Sequence, residues 1–237
     1  MAPAPDAERD AILAALTPVV HGIAATFGPV CEVVLHDYRN PENSVVAVAG
    51  SVTGRTVGGA MSEIGMEVLA HGDEAADQLN YLTRARNGTV VKSSTMVLRD
   101  SAGAVFGALC VNVDVSAVTK VRDLLGALAG AGPALAGTGP APAELPVTTF
   151  GNDIDSVVDA LVDAHRTRQR GSWPELDREE RLELFGGLDA RGVFAVRGAV
   201  EQVAARLGIS RASAYHYLAR ARAARAPSPD TSPGGHS

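Results

Sequence analysis

The stretch Val203-Ala-Ala-Arg-Leu-Gly-Ile-Ser-Arg-Ala-Ser-Ala-Tyr-His-Tyr-Leu218 has the pattern of two short helices joined by a tight turn. Ala204 is small where two helices cross closely, Gly208 can take the positive φ that a tight helix exit needs, and Ser210 can N-cap the second helix. Apolar Val203, Leu207, Ile209, Ala214, Tyr217 and Leu218 then face inward. The spacing predicts a helix-turn-helix, an arrangement that lays its second helix in the major groove of DNA. An ordinary amphipathic helical hairpin uses the same Gly and Ser, so the surrounding chemistry has to separate the two.

Charge does so. Residues 191–225 hold seven arginines against the single Glu201, a local charge of +6 in a chain whose formal net charge is -6. Such inversion is the footprint of phosphate binding, because each neutralised phosphate releases condensed counterions. A solvated basic face is the bland reading, and the concentration of arginine beside the turn favours DNA contact over it. Arg211 opens the second helix, and it and His216 are best placed to reach base edges, with Ala212 against a thymine methyl. Ser210, Ser213, Tyr215 and Arg220 complete the candidate DNA-binding set.

Length and composition bound the chain, and its motifs give an enzymatic reading little support. With 237 residues and 46% hydrophobic content the chain can build real cores, and two domains fit best. The start Met1-Ala-Pro-Ala-Pro-Asp6 lacks a signal peptide's basic and apolar regions, and no apolar run approaches the roughly 18 residues that span a bilayer. A cytoplasmic protein with no membrane partner is expected. Cys31 and Cys110 form no Cys-x-x-Cys pair, which argues against a zinc site or disulfide framework, and both fall in β-like apolar runs where a thiol packs as a small hydrophobe. There is no phosphate loop, no Gly-x-Ser-x-Gly elbow and no zinc-protease helix. The solitary His21, His36 and His71 read as satisfied polar groups rather than haem ligands, so no cofactor or metal is expected.

Gly, Ala and Pro dominate residues 126–146, which divides the chain into a first domain over 1–125, a linker over 126–150, a second domain over 151–225 and a disordered tail over 226–237. Residues 1–165 carry nine basic and nineteen acidic side chains, whereas 166–225 carry twelve and seven, so an acidic module is tethered to a basic one. In the first, Ile12, Leu13, Leu16, Val19, Val20, Ile23 and Phe27 recur at helical spacing, with Pro18 set to kink or restart the helix. Strand-like Cys31–Asp37 and Ser44–Ala49 flank a turn-rich segment, and Val90–Arg99 and Val105–Asp114 flank Asp100-Ser-Ala-Gly103, so two hairpins are expected. Residues 60–86 are weakly helical, and Val115–Leu128 is helix. The order implies an α+β domain with one antiparallel sheet, followed by an all-α domain. In the latter, Asn152 or Asp153 caps one helix, and Asp177 with Glu180 forms an acidic capping box for the next.

The motifs of both halves resemble one family. Glu32-Val-Val-Leu-His-Asp37, Ser44-Val-Val-Ala-Val48, Val52-Thr-Gly-Arg55, Lys92-Ser-Ser-Thr95 and Gly107-Ala-Leu-Cys-Val-Asn-Val-Asp114 resemble the YheO-like PAS domain. Gly192-Val-Phe-Ala-Val-Arg-Gly-Ala-Val200 with Val203–Leu218 resembles the helix-turn-helix that follows it in the same regulators. The resemblance covers about 12–120 and 177–220, and it departs from the usual pattern at Ser51, where the family commonly has His, and at Ala214 and His216, where it has Val and Arg. The family includes D-arginine utilisation repressors, and membership implies a bacterial transcription regulator whose PAS domain senses a small molecule.

Within the sensor half, strand alternation sets Cys110, Asn112 and Asp114 on one face and Leu109, Val111 and Val113 on the other. Asn112 and Asp114 are ligand-binding candidates, and Asp114 has the rival role of capping the helix that follows. His36 and Asp37 are candidates that face opposite sides. Arg55 can fork onto a ligand carboxylate. Ser93 and Ser94 alternate, so at most one lines a cavity, and Ser94 is the candidate. The expected partners are double-stranded DNA, a second copy of the chain, and a small effector such as an amino acid or related metabolite. The rival is a ligand-binding or scaffolding protein whose helix-turn-helix contacts another protein.

Overall fold

The computed structural model describes residues 5–85, 87–128, 145, 148, 150, 151, 153–169 and 176–225. Helix α1 (Pro5–Phe27) is followed by β1 (Cys31–Asp37), β2 (Val45–Ala49), α2 (Glu63–His71), β3 (Gln78–Arg84), β4 (Val90–Arg99), β5 (Val105–Asp114) and α3 (Ser116–Leu128). The five strands form one antiparallel sheet in the order β2-β1-β5-β4-β3. The α+β class and both expected hairpins are present.

Period-two alternation gives the sheet two unlike faces. On one, Cys31, Val33, Leu35, Phe106 and Leu109 are buried with Leu13, Val20 and Ala24 of α1. Helix α1 runs unbroken through Pro18 rather than restarting there. Its window Asp6–Val30, with a mean hydropathy of 1.7, is long and apolar enough to cross a membrane by length and composition, contrary to the sequence expectation. That apolar side is instead laid on the sheet, and ion pairs fix the helix at its polar end. Arg9 meets Asp100 at 2.7 Å, and Arg39 meets Asp10 at 2.5 Å.

One sequence expectation needs correction. Residues 60–86 are helical only over α2, and they supply β3 as well. This edge strand hides its period, because Asn80 adopts φ 58° and the register slips between Gln78 and Tyr81. The expected linker begins inside α3, and its far end is packed: Leu145 and Thr148 are buried, and Thr148 N–H donates to Arg84 O at 3.1 Å. The intervening residues 129–144, and the tail from 226, lie outside the described residues.

The second half is helical: α4 (Ile154–Gln169), α5 (Arg178–Ala190), α6 (Ala199–Leu207) and α7 (Arg211–Arg225). Asp153 Oδ1 accepts from Ser156 N–H at 2.7 Å at the start of α4. Asp177 and Glu180 make the reciprocal capping box of α5. A single buried cluster runs from Tyr38, Met61 and Met66 through Val157, Leu161, Leu184 and Phe185 to Val203, Ala214 and Leu218, so both halves share one core. The backbones approach closely at Gly192, whose φ is 73° and where a Cβ would lie 2.1 Å from Met66 O. Only glycine satisfies both demands.

Candidate functional site

The helix-turn-helix consists of α6, a three-residue turn and α7. Gly208 ends α6 in the left-handed conformation at φ 68°, ψ 33°, and its N–H returns to Ala204 O and Ala205 O. Ser210 Oγ then accepts from Ser213 N–H at 3.1 Å and starts α7. Val203, Leu207, Ala214 and Leu218 are buried, with Ile209 and Tyr217 half-buried, which is the inward set read from the sequence.

Burial of Ala214, Leu218 and Ala221 at helical spacing turns the opposite side of α7 outward. Ala212, Tyr215, His216 and Arg220 are exposed there, with Ala212, His216 and Arg220 aligned at four-residue steps, and Arg211 is exposed as the first residue of the helix. Ser210 and Ser213 are placed differently, since their hydroxyls bond each other at 2.9 Å at the cap. Tyr215 reaches back to Glu201 at 3.4 Å.

The arginine cluster also divides. Arg206 is paired with Asp163 at 2.9 Å, Arg222 with Asp189 at 2.7 Å, and Arg191 with Glu63 at 3.7 Å. Among the described residues Arg197, Arg211 and Arg220 form no ion pair, so the charge free for phosphates is smaller than the sequence count of +6.

In the N-terminal half, the sheet face away from α1 carries polar rows. Pairing of Glu32 with Asn112, and of Asn112 with Ser93, makes one row across β1, β5 and β4. Ser93 Oγ donates to Asn112 Oδ1 at 2.8 Å, and Asn112 Nδ2 to Glu32 Oε1 at 3.4 Å. Glu32 also accepts from Thr53 N–H at 2.9 Å, Gly54 N–H at 3.1 Å and the Thr53 hydroxyl, so it anchors the loop after β2. The next row holds Thr95 and Cys110, with the Tyr81 hydroxyl 2.9 Å from Thr95 Oγ1.

These rows floor a small cavity of about 10 Å³, lined by His36, Arg55, Ser62, Tyr81, Asn112 and Phe150 among others. An open pocket of about 300 Å³, lined by Ser51, Asn87 and Ala85, adjoins it and shares Thr53 and Phe150 as a wall. His36 is buried, with Nδ1 2.9 Å from Ser44 Oγ, and burial, then the Arg55 charge, lower its pKa to about 3. Burial raises the Cys110 thiol to about 11 and the Tyr81 hydroxyl to about 12, so both keep their protons at neutral pH. Arg55 is 5% exposed. It donates from Nη1 to Gly151 O at 2.5 Å and from Nη2 to Ala60 O, and its buried Nε has no hydrogen-bond partner.

The structure thus brings together His36, Arg55 and Asn112 of the sequence candidates and leaves out three. Asp37 is turned to the α1 side of the sheet and is held by Arg39 at 2.7 Å. Ser94 lies on the other side of β4 and accepts from Asn80 N–H at 3.0 Å, so Ser93 takes its place. Asp114 accepts from Ser116 N–H at 2.8 Å, which is the capping role. Missed were Glu32, Thr53, Tyr81, Thr95 and Phe150. Strand register selects Glu32, Tyr81 and Thr95, Thr53 stands in the loop after β2, and Phe150 stands in the segment read as linker.

The YheO-like PAS domain family matches residues 7–130, and an HTH domain family matches 157–219. An uncharacterised protein of Haemophilus influenzae is 26% identical over 212 residues, 89% of this chain and 91% of its own. The uncharacterised protein YheO of Escherichia coli K12 is 25% identical over 214 residues, 87% of this chain and 83% of its own. The transcriptional regulator DauR of Pseudomonas aeruginosa is 29% identical over 206 residues, 84% and 90%. No solved structure matches. With a polar-floored sheet in front and a helix-turn-helix behind, the chain belongs to the YheO-like PAS domain family.

Proposed function

We propose that this protein is a cytoplasmic, DNA-binding transcriptional regulator in which residues 1–125 sense a small molecule, residues 126–150 connect, and residues 151–225 read DNA as part of a homodimer. The observation that carries this reading is the outward row Ala212, His216 and Arg220 beside Arg211, on a helix whose other side is buried and whose start is fixed by Gly208 and Ser210. Likeness to a relative named a transcriptional regulator supports it.

A second copy of the chain is expected because one helix-turn-helix unit has a small footprint, and readers of this type engage two half-sites about 34 Å apart. Helix α3 offers the seam. None of its residues is buried, and Val118, Val121, Leu125 and Leu128, each more than half exposed, follow a 3-4-3 spacing. Two such stripes from two copies cover each other as knobs in holes.

The test is selection of bound fragments from genomic DNA by the full chain, followed by footprinting. Two protected half-sites one helical turn apart are expected. A footprint of one half-site would remove the dimer, and recovery of no preferred fragment would favour a scaffolding protein whose helix-turn-helix contacts another protein.

A further inference from the structure

Arg55 is a buried cation whose described partners are uncharged. A guanidinium holds five N–H donors and keeps its charge at any working pH. Removing one from water is expensive unless it is paired. Among the described residues Nη1 and Nη2 donate to the carbonyls of Gly151 and Ala60, Nε is buried without a hydrogen-bond partner, and the Glu32 charge acts on the cation through space without bonding it. The carboxylate of the same row, Glu32, is turned to Thr53, Gly54 and Asn112. The N-terminal turn of α2, through Ser62 and Ile64, lines the same cavity and adds the positive end of a helix dipole.

We propose that Arg55 is the centre of a binding site for a small organic monocarboxylate, and that filling this site undocks Phe150 and Gly151 from the sensor half. The proposal deepens the sensor reading and rests on it. One cation whose buried Nε–H has no partner suits one carboxylate, while Val34, Ile64 and Phe150 suit a short carbon chain. An ammonium group on the ligand finds no acceptor at Glu32, whose two oxygens already take four donors. This separates simple acids from amino acids.

Coupling follows from volume. About 10 Å³ holds at most one water molecule. The acid can enter only if Phe150 withdraws, which joins the cavity to the neighbouring pocket of about 300 Å³. The docked arrangement and the filled site therefore exclude each other, and an acid that binds only one of two states must shift the population toward it. Gly151 leads into α4, whose Asp155 O accepts from Gln202 Nε2 at 2.9 Å and whose Asp163 holds Arg206, both on α6, the first helix of the helix-turn-helix.

The experiment uses the full chain without DNA. Acetate, propionate, lactate and pyruvate are titrated by calorimetry and thermal shift against lactamide and sulfate. The acids bind and raise Tm in a saturable way, and lactamide and sulfate do neither. Arg55→Gln abolishes acid binding. Phe150→Ala, which opens the site without touching Arg55, tightens it about tenfold or more, because the closed state no longer competes. Saturating acid raises hydrogen exchange over residues 150–155. Failure of every acid to bind Phe150→Ala, retained binding in a folded Arg55→Gln protein, equal binding of sulfate, or unchanged exchange at 150–155 would overturn the proposal. Acid binding by a chain that ignores DNA would defeat the regulator reading and leave this site standing.

Discussion

Arg55, in the loop after β2, donates from Nη1 to the carbonyl oxygen of Gly151 at 2.5 Å, so a buried cation of the sensor half holds the residue three positions before α4. Together with the approach of Gly192 to Met66 O, this ties the reader to the sensor at both ends of its first two helices. A change in the sensor face therefore has a physical route to α6 that needs no long chain of small shifts.

The two positive-φ glycines of the second half separate local strain from docking. An Ala at Gly208 meets nothing within 4 Å and bears only the left-handed penalty of about 1–2 kcal/mol. An Ala at Gly192 bears that penalty and drives its Cβ into Met66 O. Urea unfolding is expected to show Gly192→Ala as clearly the less stable variant. Equal losses would mean that the halves do not meet at this point.

On the reader, Arg211→Ala is expected to weaken binding to the selected site by about 1–3 kcal/mol and to relax its sequence preference, as removal of a base contact does. Arg222→Ala should mainly lower stability, because its guanidinium is engaged by Asp189 at 2.7 Å. Competition gel shifts with specific and random DNA check both. Equal losses on both DNAs for Arg211→Ala would assign that residue to phosphate.

How much of this was legible in the sequence depended on how local the cause was. The turn at Gly208, the cap at Ser210 and the Asp177 capping box are set within a few residues, and all three could be read directly. The alternation of β5 gave its two faces but not which of them meets α1, so Ser93 and Ser94 could not be told apart until Ser93 was seen opposite Asn112. Pairing of Arg206 with Asp163 and of Arg222 with Asp189 spans 43 and 33 residues, which no window of charge reveals. Phe150 lies just past the Gly, Ala and Pro-rich stretch 126–146 and reads with it as linker.

Acid sensitivity should report His36. Its pKa falls from an ordinary 6.5 to about 3 in the fold, through burial first and the Arg55 charge second. Between these values the unfolded chain binds a proton that the folded chain refuses, so stability declines as pH drops below 6.5 and is not affected above it. From pH 7.5 to pH 5.0 the loss expected from this group is about 2 kcal/mol. His36→Gln should remove that part of the slope in urea titrations. An unchanged slope would mean that the imidazole is not held neutral.

For the dimer, Leu125→Glu puts a carboxylate in the middle of the α3 stripe, where the wild-type side chain is 60% exposed in the single chain. Sedimentation equilibrium should show a dimer for the wild type and a folded monomer for the variant, with unchanged unfolding cooperativity. A dimeric variant would move the seam elsewhere.

The central claim is that α7 reads DNA, and its most direct measurement is the affinity of the full chain for a selected genomic fragment and for a scrambled fragment of equal length, each at several salt concentrations. Phosphate contacts from unpaired arginines should give log K a steep negative slope against log salt on both DNAs. The account predicts that the selected fragment binds about a thousandfold or more tightly than the scrambled one throughout the series. Equal affinities at every salt concentration, or no measurable binding at low salt, would contradict it.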